Sequence, residues 1–219
     1  MIDVYSWTTG NARKVYIMLE ECGLSYTAHP INIGQGDQFK PDFLKISPNN
    51  KIPAIIDQDG PGGAPYSMFE SGAILMYLAD KTGRFLPADP RARYTTLQWV
   101  MLQMGDVGPI FGQAGHYNDK ATGPEHAHAR KHFVDDGLRL MAVLDKRLSE
   151  SAYLAGDDIT IADFLTWPWC REPESRGLNH DDFPAVKAWF AKIGARPSIA
   201  AVNELCEEVR AGREVRRVK

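Results

Sequence analysis

The chain has 219 residues, 44% of them hydrophobic, a length that can bury one large core or two modest ones. Its formal net charge of -3 gives no general attraction for phosphate backbones, and the basic residues near the C-terminus come without an aromatic or groove-binding motif, so no nucleic-acid partner is expected. Its apolar runs fall well short of the roughly 20 residues that cross a bilayer, and its N-terminus lacks a basic secretion signal, so we expect a cytoplasmic protein with no membrane partner.

The chain up to residue 82 alternates between strand and helix periodicity. Strands are predicted at residues 2–5, 26–33, 52–57 and 66–69. Between or after them lie a helix that stops at Gly23, a short helix at 41–46 and a helix from about Ser71. The third helix is expected to bury Ala73, Ile74, Tyr77 and Leu78. This order predicts a small mixed sheet covered by helices on both faces, an α/β thioredoxin-like domain of residues 1–82.

The pattern changes after that domain. Gly83, Pro87 and Pro90 mark a linker over residues 83–92. The apolar residues that follow recur at the helical period, without a convincing strand. We therefore predict an all-α C-terminal helical domain over residues 93–219.

One local signal in the helical domain is specific. Thr160 and Asp163 have the spacing of a capping box, in which each side chain accepts a hydrogen bond from the other residue's backbone amide. We interpret this pair as a helix start and a folding determinant, in preference to a catalytic role for Asp163.

Hydroxyl and amide side chains lie between the first strand and the first helix, in TTGN at residues 8–11. Free amides at a helix N-terminus attract anions, so a thiolate brought to Thr9 and Asn11 would be stabilised. From this segment alone, a role for the two residues as helix caps is the favoured interpretation, because Thr and Asn serve well at that position.

The segment SPNNKIPA at residues 47–54 contains a proline at the start of a predicted strand. A cis bond between Ile52 and Pro53 would turn the Ile52 backbone outward, where an extended peptide can pair with it as an added strand. An ordinary turn is the alternative, since most bonds of this kind are trans.

An acid and a hydroxyl stand at the start of the next helix, in FESGAI at residues 69–74. Ser71 can take a ligand carboxylate at the positive end of the helix, and Glu70 can accept from an ammonium group. Together they fit an amino-acid head group, although a capping pair is again the alternative.

Three motifs resemble the glutathione transferase superfamily across nearly the whole chain: SPNNKIPAI, FESGAILMYLADK and DITIADF. Within that superfamily, TGN at residues 9–11, GQGDQF at 34–39 and LQW at 97–99 resemble the Nu-class bacterial enzymes, known for glutathione-dependent disulfide-bond reductase activity. The resemblance implies glutathione as co-substrate and a homodimer with its glutathione cleft near the two-fold axis.

The same resemblance implies roles for individual residues. Thr9 occupies the position of the catalytic serine of related classes and Asn11 the neighbouring position, so both are implied to act on the glutathione sulfur. The implied contacts are the γ-glutamyl group to Glu70 and Ser71, the cysteinyl unit to Ile52 beside Pro53, the glycyl end to Gln38 and Lys51, and a further contact to Gln98. The chain departs from its relatives at His132, where they have an arginine near the ligand, although Arg130 lies two residues away.

We therefore predict a glutathione-dependent disulfide-bond oxidoreductase, in which a bound glutathione thiolate attacks a small-molecule disulfide and no protein cysteine takes part. Two alternatives stay open. The first is a glutathione S-transferase that conjugates small electrophiles or cleaves an ether or a halide, and the second is a non-catalytic glutathione-binding or regulatory module. The acceptor is expected near Met104, Phe111 and Tyr117, where the sequence has no recognisable motif.

Other kinds of site have little support. His128 and His132 are spaced i, i+4, but no third ligand falls at a supporting spacing, so no metal is predicted. The segment GQG at residues 34–36 lacks the ending of a phosphate loop, so no nucleotide is predicted. A disulfide framework or zinc ribbon is not indicated by the three distant cysteines, Cys22, Cys170 and Cys206.

Overall fold

The computed structural model describes residues 1–219, and five strands in it form one mixed sheet. The strands are β1 (Ile2–Ser6), β2 (Tyr26–Pro30), β3 (Ala54–Asp57), β4 (Tyr66–Phe69) and β5 (Val215–Arg217), in the order β4-β3-β1-β2-β5. β1 and β2 are parallel, and the other neighbours are antiparallel.

Nine α-helices accompany the sheet. They are α1 (Gly10–Cys22), α2 (Pro41–Leu44), α3 (Ser71–Thr82), α4 (Pro90–Leu102), α5 (Gly108–Gly115), α6 (Ala127–Glu150), α7 (Ile161–Thr166), α8 (Pro184–Gly194) and α9 (Pro197–Arg210). None of them combines the length and the apolar character that a membrane span requires. The predicted fold class, an α/β thioredoxin-like N-terminal domain followed by a helical domain, is confirmed.

The two faces of β1 show how helices cover the sheet. On one face the buried Ser6 hydroxyl lies 2.5 Å from the Tyr16 hydroxyl of α1. On the other face Tyr5 packs against a cluster of Phe43 from α2, Ile52 and Ala54. Alternate β1 side chains therefore face different helices, as the two-residue period of a strand requires.

One helix and one strand differ in detail from the sequence prediction. Ala73 is exposed, because α3 turns Gly72, Ile74 and Leu75 inward. The third strand begins at Ala54, after Pro53, which cannot donate to a ladder.

The chain divides into two compact units, residues 1–84 with 196–219, and residues 85–195. This division differs at the C-terminus from the predicted bounds of 1–82, 83–92 and 93–219. The reason is that α9 packs against α1, and β5 pairs with β2. Strand β5 was not predicted, because its three residues, VRR, carry no alternation of apolar and polar side chains.

Glu21 on α1 holds the start of α9 within the first unit. Its carboxylate accepts from Arg196 Nε at 2.6 Å, Arg196 Nη2 at 2.7 Å and the Ser198 hydroxyl at 2.6 Å. Burial pushes the pKa of this carboxyl up, but the hydrogen bonds from Arg196 and Ser198 and the Arg196 charge outweigh it, so the pKa is lowered.

We expect Glu21→Gln to lower the free energy of unfolding by about 2 kcal/mol at pH 7, because a two-bonded ion pair that is largely buried is broken. Since the folded pKa is below the unfolded one, this stability is present above about pH 4.5 and is lost as the pH falls through the folded pKa. Urea unfolding at pH 7 and pH 3.5 measures the difference between wild type and variant. Glu207→Gln, on the exposed side of α9, is the control, and equal losses in both variants would contradict the assignment.

The predicted capping box is present at the start of α7. Thr160 is the N-cap, and its Oγ1 accepts from the Ala162 amide at 3.3 Å, while Asp163 Oδ2 accepts from the Thr160 amide at 2.9 Å. Asp163 is fully buried and serves the fold of the second unit.

Candidate active site

The three segments that the sequence singles out meet at one end of the sheet. Tyr5 of β1 pairs with Ala54 of β3, which pairs in turn with Phe69 of β4. β1 and β4 end near this row, and β3 begins at it, because β3 is antiparallel to both. The segment after β1, the segment before β3 and the segment after β4 therefore leave the sheet at the same end.

Thr9 and Asn11 open helix α1 at this end. Thr9 is the N-cap in an extended conformation, and its Oγ1 accepts from the Ala12 amide at the long distance of 3.4 Å. Thr9 therefore caps α1. Its hydroxyl accepts one hydrogen bond and still has a proton that it can donate to a ligand. The first turn of α1 contains no acidic side chain, so its positive end is not neutralised locally.

Ile52 presents backbone polar groups at the same end of the sheet. The Ile52–Pro53 bond is cis, and neither the amide nor the carbonyl of Ile52 has a hydrogen-bond partner within the chain. Its side chain is buried against Phe43, and the buried Ser47 hydroxyl donates to the Lys51 carbonyl at 2.7 Å. The buried side chain anchors this backbone, which offers one donor and one acceptor to an extended ligand.

Glu70 and Ser71 form the third part of the site. Glu70 is exposed and has a φ of 71°, a left-handed conformation that is uncommon for a residue with a Cβ. Such conformations cluster at binding sites, where the surrounding structure enforces them. Ser71, the first residue of α3, is 3% exposed.

Lys14 lies behind Ser71 and belongs to none of the three motifs that predict the site. Its side chain is 1% exposed, and its Nζ donates to the Ser71 hydroxyl oxygen at 3.3 Å. Burial lowers the pKa of Lys14 to about 7, although the charge of Glu70 acts in the opposite direction. A signal was available in the sequence, since Lys14 lies i, i+4 from Met18 on the apolar stripe of α1.

The implied contacts to the glycyl end lie in two separate segments. Gln38 belongs to the loop after β2, where its Nε2 donates to the Ile33 carbonyl at 3.3 Å and its buried Oε1 has no hydrogen-bond partner. Lys51 is exposed. Because Ser6 pairs with Pro30, the loop with Gln38 also starts at this end of the sheet.

The remaining implied contacts belong to the second unit. Gln98 is exposed on α4, and His132 is exposed on α6. Arg130 binds the segment that precedes α6: its Nε donates to the Tyr117 carbonyl at 2.8 Å, and its Nη2 donates to the Gly123 carbonyl at 3.2 Å. Arg130 thus braces the π-helical turn at His116–Lys120.

The cysteines do not provide an activated thiolate. Cys170 is buried, and burial raises its pKa to about 12. Burial also raises the pKa of Cys22, whose sulfur lies 3.5 Å from the Thr82 hydroxyl, and Cys206 is fully buried. No group of three histidine, cysteine or carboxylate side chains suited to a metal ion is found in the structure.

Two family models match the chain: the glutathione S-transferase N-terminal domain over residues 10–81, and the glutathione S-transferase C-terminal domain over residues 127–197. Among curated proteins, the disulfide-bond oxidoreductase YfcG of Escherichia coli is 45% identical over 199 residues, which covers 90% of this chain and 92% of the relative.

Solved structures agree with these matches. A glutathione transferase family member from Pseudomonas fluorescens, solved with two glutathione bound, has 46% identity and a TM-score of 0.88, covering 92% of this chain and 91% of its own. A glutathione transferase from Pseudomonas putida, solved with one glutathione disulfide per subunit, has 41% identity and a TM-score of 0.86, covering 92% of this chain and 90% of its own. The two family models and the identity over most of the relatives' length show that this chain belongs to the glutathione S-transferase family.

Proposed function

We propose that this protein is a glutathione-dependent disulfide-bond oxidoreductase that uses a bound glutathione thiolate and no cysteine of its own. One observation carries the proposal: the positive end of α1, which includes Thr9 and Asn11, lies at the same end of the sheet as the unpaired backbone of Ile52. The name of the E. coli relative and the glutathione disulfide in the P. putida structure support it.

The tripeptide is proposed to lie across the three segments. Its γ-glutamyl ammonium group contacts Glu70 and its carboxylate contacts Ser71 at the N-terminus of α3. The cysteinyl backbone pairs with Ile52, beside Pro53, in the manner of an added strand. The glycyl end lies toward Gln38 and Lys51, with Gln98 as a further contact.

The sulfur is then directed to Thr9 and Asn11. A free thiol has a pKa of about 8.5, and each unit by which a site lowers it requires ~1.4 kcal/mol of preference for the thiolate. One hydrogen bond to a charged group supplies roughly 1.5 to 3 kcal/mol, which is sufficient for one or two units.

The reaction consists of two exchanges. In the first, the glutathione thiolate forms a bond to one sulfur of the acceptor disulfide, the S–S bond breaks, and the departing thiolate takes up a proton. In the second, another glutathione thiolate attacks the mixed disulfide at the glutathione sulfur, which yields glutathione disulfide and the second acceptor thiol. Two glutathione thiols are oxidised for each disulfide reduced, and the protein contributes alignment and thiolate stabilisation.

Two parallel assays of the purified protein test the proposal. We expect glutathione-dependent reduction of 2-hydroxyethyl disulfide to exceed conjugation of 1-chloro-2,4-dinitrobenzene, because disulfide exchange needs only the aligned sulfurs. Strong conjugation with feeble reduction would favour the transferase alternative. No turnover together with no glutathione binding at millimolar concentration, measured by calorimetry, would favour a non-catalytic module.

We further propose that the protein is a cytoplasmic homodimer of the Nu class, with a small-molecule disulfide as its acceptor. Sedimentation velocity at micromolar concentration tests the dimer, and a single species of the mass of one chain would refute it. The support is the resemblance of TGN at residues 9–11 and GQGDQF at 34–39 to that class.

A further inference from the structure

One buried serine holds the loop between α2 and the proposed cysteinyl contact. Ser47 is fully buried, and its amide, carbonyl and hydroxyl are all hydrogen-bonded to nearby backbone groups. The amide donates to the Phe43 carbonyl at 2.9 Å, and the carbonyl accepts from the Asn50 amide at 3.0 Å. The hydroxyl donates to the Lys51 carbonyl at 2.7 Å. Ser47 therefore joins the end of α2 to the residue that precedes Ile52.

The peptide group between Lys51 and Ile52 links this serine to the ligand side of the loop. A peptide group is planar, and in its trans form the carbonyl and the amide hydrogen point in opposite directions. The cis bond of this loop is the following one, between Ile52 and Pro53, so the Lys51–Ile52 bond is trans. Because the Lys51 carbonyl faces the buried Ser47 hydroxyl, the Ile52 amide faces the opposite way, and it has no hydrogen-bond partner within the chain.

This peptide group lies outside the sheet, because β3 begins only at Ala54. Within a strand, ladder hydrogen bonds would fix the plane of the group, and here the Ser47 hydroxyl does so. The residue before Lys51 is Asn50, whose φ of 48° is uncommon for a residue with a Cβ and is enforced by its surroundings. A hydrogen bond at the carbonyl also polarises the peptide group, which makes its amide a stronger donor.

We propose that Ser47 is a positioning residue for glutathione: its hydroxyl fixes the peptide group between Lys51 and Ile52 so that the Ile52 amide faces the cysteinyl carbonyl of the bound tripeptide. The inference rests on the proposed function, because it requires the ligand backbone to pair with Ile52. Ser47 itself does not touch the ligand, since it is fully buried and its hydroxyl proton is used inside the loop. It contributes by orienting one donor before the ligand arrives.

Calorimetric titration of the full chain with S-methylglutathione measures this contribution. The ligand keeps the peptide backbone of glutathione but has no thiol, so ionisation of the sulfur does not affect its affinity. We expect Ser47→Ala to raise the dissociation constant about fivefold, because the Ile52 amide is no longer held in its donating direction and its hydrogen bond to the ligand is weakened. Thermal unfolding checks that the variant is folded.

The Ile52 amide reports the same contact directly. In proton–nitrogen NMR spectra of wild type, the Ile52 amide proton should move downfield as S-methylglutathione saturates the protein, because the amide gains a hydrogen-bond acceptor. In Ser47→Ala saturated with the ligand, we expect a smaller downfield change. A loss of stability elsewhere in the fold would leave this change as it is in wild type.

The matched control is Thr166→Val. Thr166 is also buried, and its hydroxyl likewise donates to a backbone carbonyl, that of Ala162 at 2.8 Å, but it is not among the proposed glutathione contacts. We expect this variant to lose stability and to keep both the affinity and the Ile52 shift of wild type. Ser47→Cys, whose thiol is a weaker donor, should raise the dissociation constant by a smaller factor, about twofold.

The outcomes separate the two proposals. Wild type that does not bind S-methylglutathione refutes the proposed function and this inference together. Wild type that binds without a downfield change at Ile52 overturns the role of Ser47 while leaving glutathione binding intact, and so does a folded Ser47→Ala with the affinity or the Ile52 shift of wild type. Equal losses of affinity in Ser47→Ala and Thr166→Val also overturn it. If Ser47→Ala does not fold, a folded Ser47→Cys with wild-type affinity has the same consequence.

Discussion

Replacing both Thr9 and Asn11 by alanine is expected to lower kcat/KM for glutathione-dependent disulfide reduction about 100-fold, because two hydrogen bonds to the thiolate sulfur are lost. We expect most of this fall in kcat/KM to arise because a smaller fraction of the bound glutathione is ionised. A direct measurement is the ultraviolet absorbance of the bound thiolate as a function of pH, whose midpoint should move upward toward the pKa of free thiols, about 8.5.

The matched control is Thr9→Ser, which keeps the hydroxyl and the helix cap. We expect Thr9→Ser to retain most of the activity. Thr9→Ala also removes the N-cap of α1 and should cost ~1 kcal/mol of stability, so a thermal melt must show that the double variant is folded. Unchanged reduction of 2-hydroxyethyl disulfide by a folded double variant would remove both residues from the mechanism.

The largest effect on stability is expected from Asp163→Ala. The Asp163 carboxylate accepts from the Leu154 amide at 3.1 Å, the Thr160 amide at 2.9 Å, the Thr160 hydroxyl at 3.2 Å and Trp189 Nε1 at 3.0 Å. Burial raises the pKa of this carboxyl, and the four donors oppose that rise. Removal of the acceptor leaves several buried donors unpaired, so we expect a loss of about 3 to 5 kcal/mol in the free energy of unfolding.

Urea unfolding followed by circular dichroism measures this loss. Asp158→Ala, which removes an exposed carboxylate from the same loop, should change stability by less than about 0.5 kcal/mol. If Asp163→Ala is folded, it should still bind glutathione, because Asp163 is buried and is not among the proposed glutathione contacts. A loss below about 1 kcal/mol would show that the four hydrogen bonds contribute little.

The order of strands and helices up to α3 and the capping box of α7 could be predicted from the sequence alone. These features depend on local chemistry. Gly23 adopts the left-handed conformation that ends α1, and Thr160 and Asp163 satisfy each other's backbone three residues apart. The segments that form the candidate site could also be predicted from local sequence, because each combines polar side chains with the start of a helix or strand.

The long-range features depend on contacts that form only when the chain folds. Strand β5 forms because the edge of β2 is available for pairing. Its three residues, one apolar and two charged, do not predict a strand without that partner. The burial of Lys14 depends on Ser71, 57 positions later in the chain, and the use of Arg130 as a loop brace depends on carbonyl groups that only folding brings to it. The partners in these contacts cannot be identified from residue spacing, since they are selected by packing and not by sequence distance.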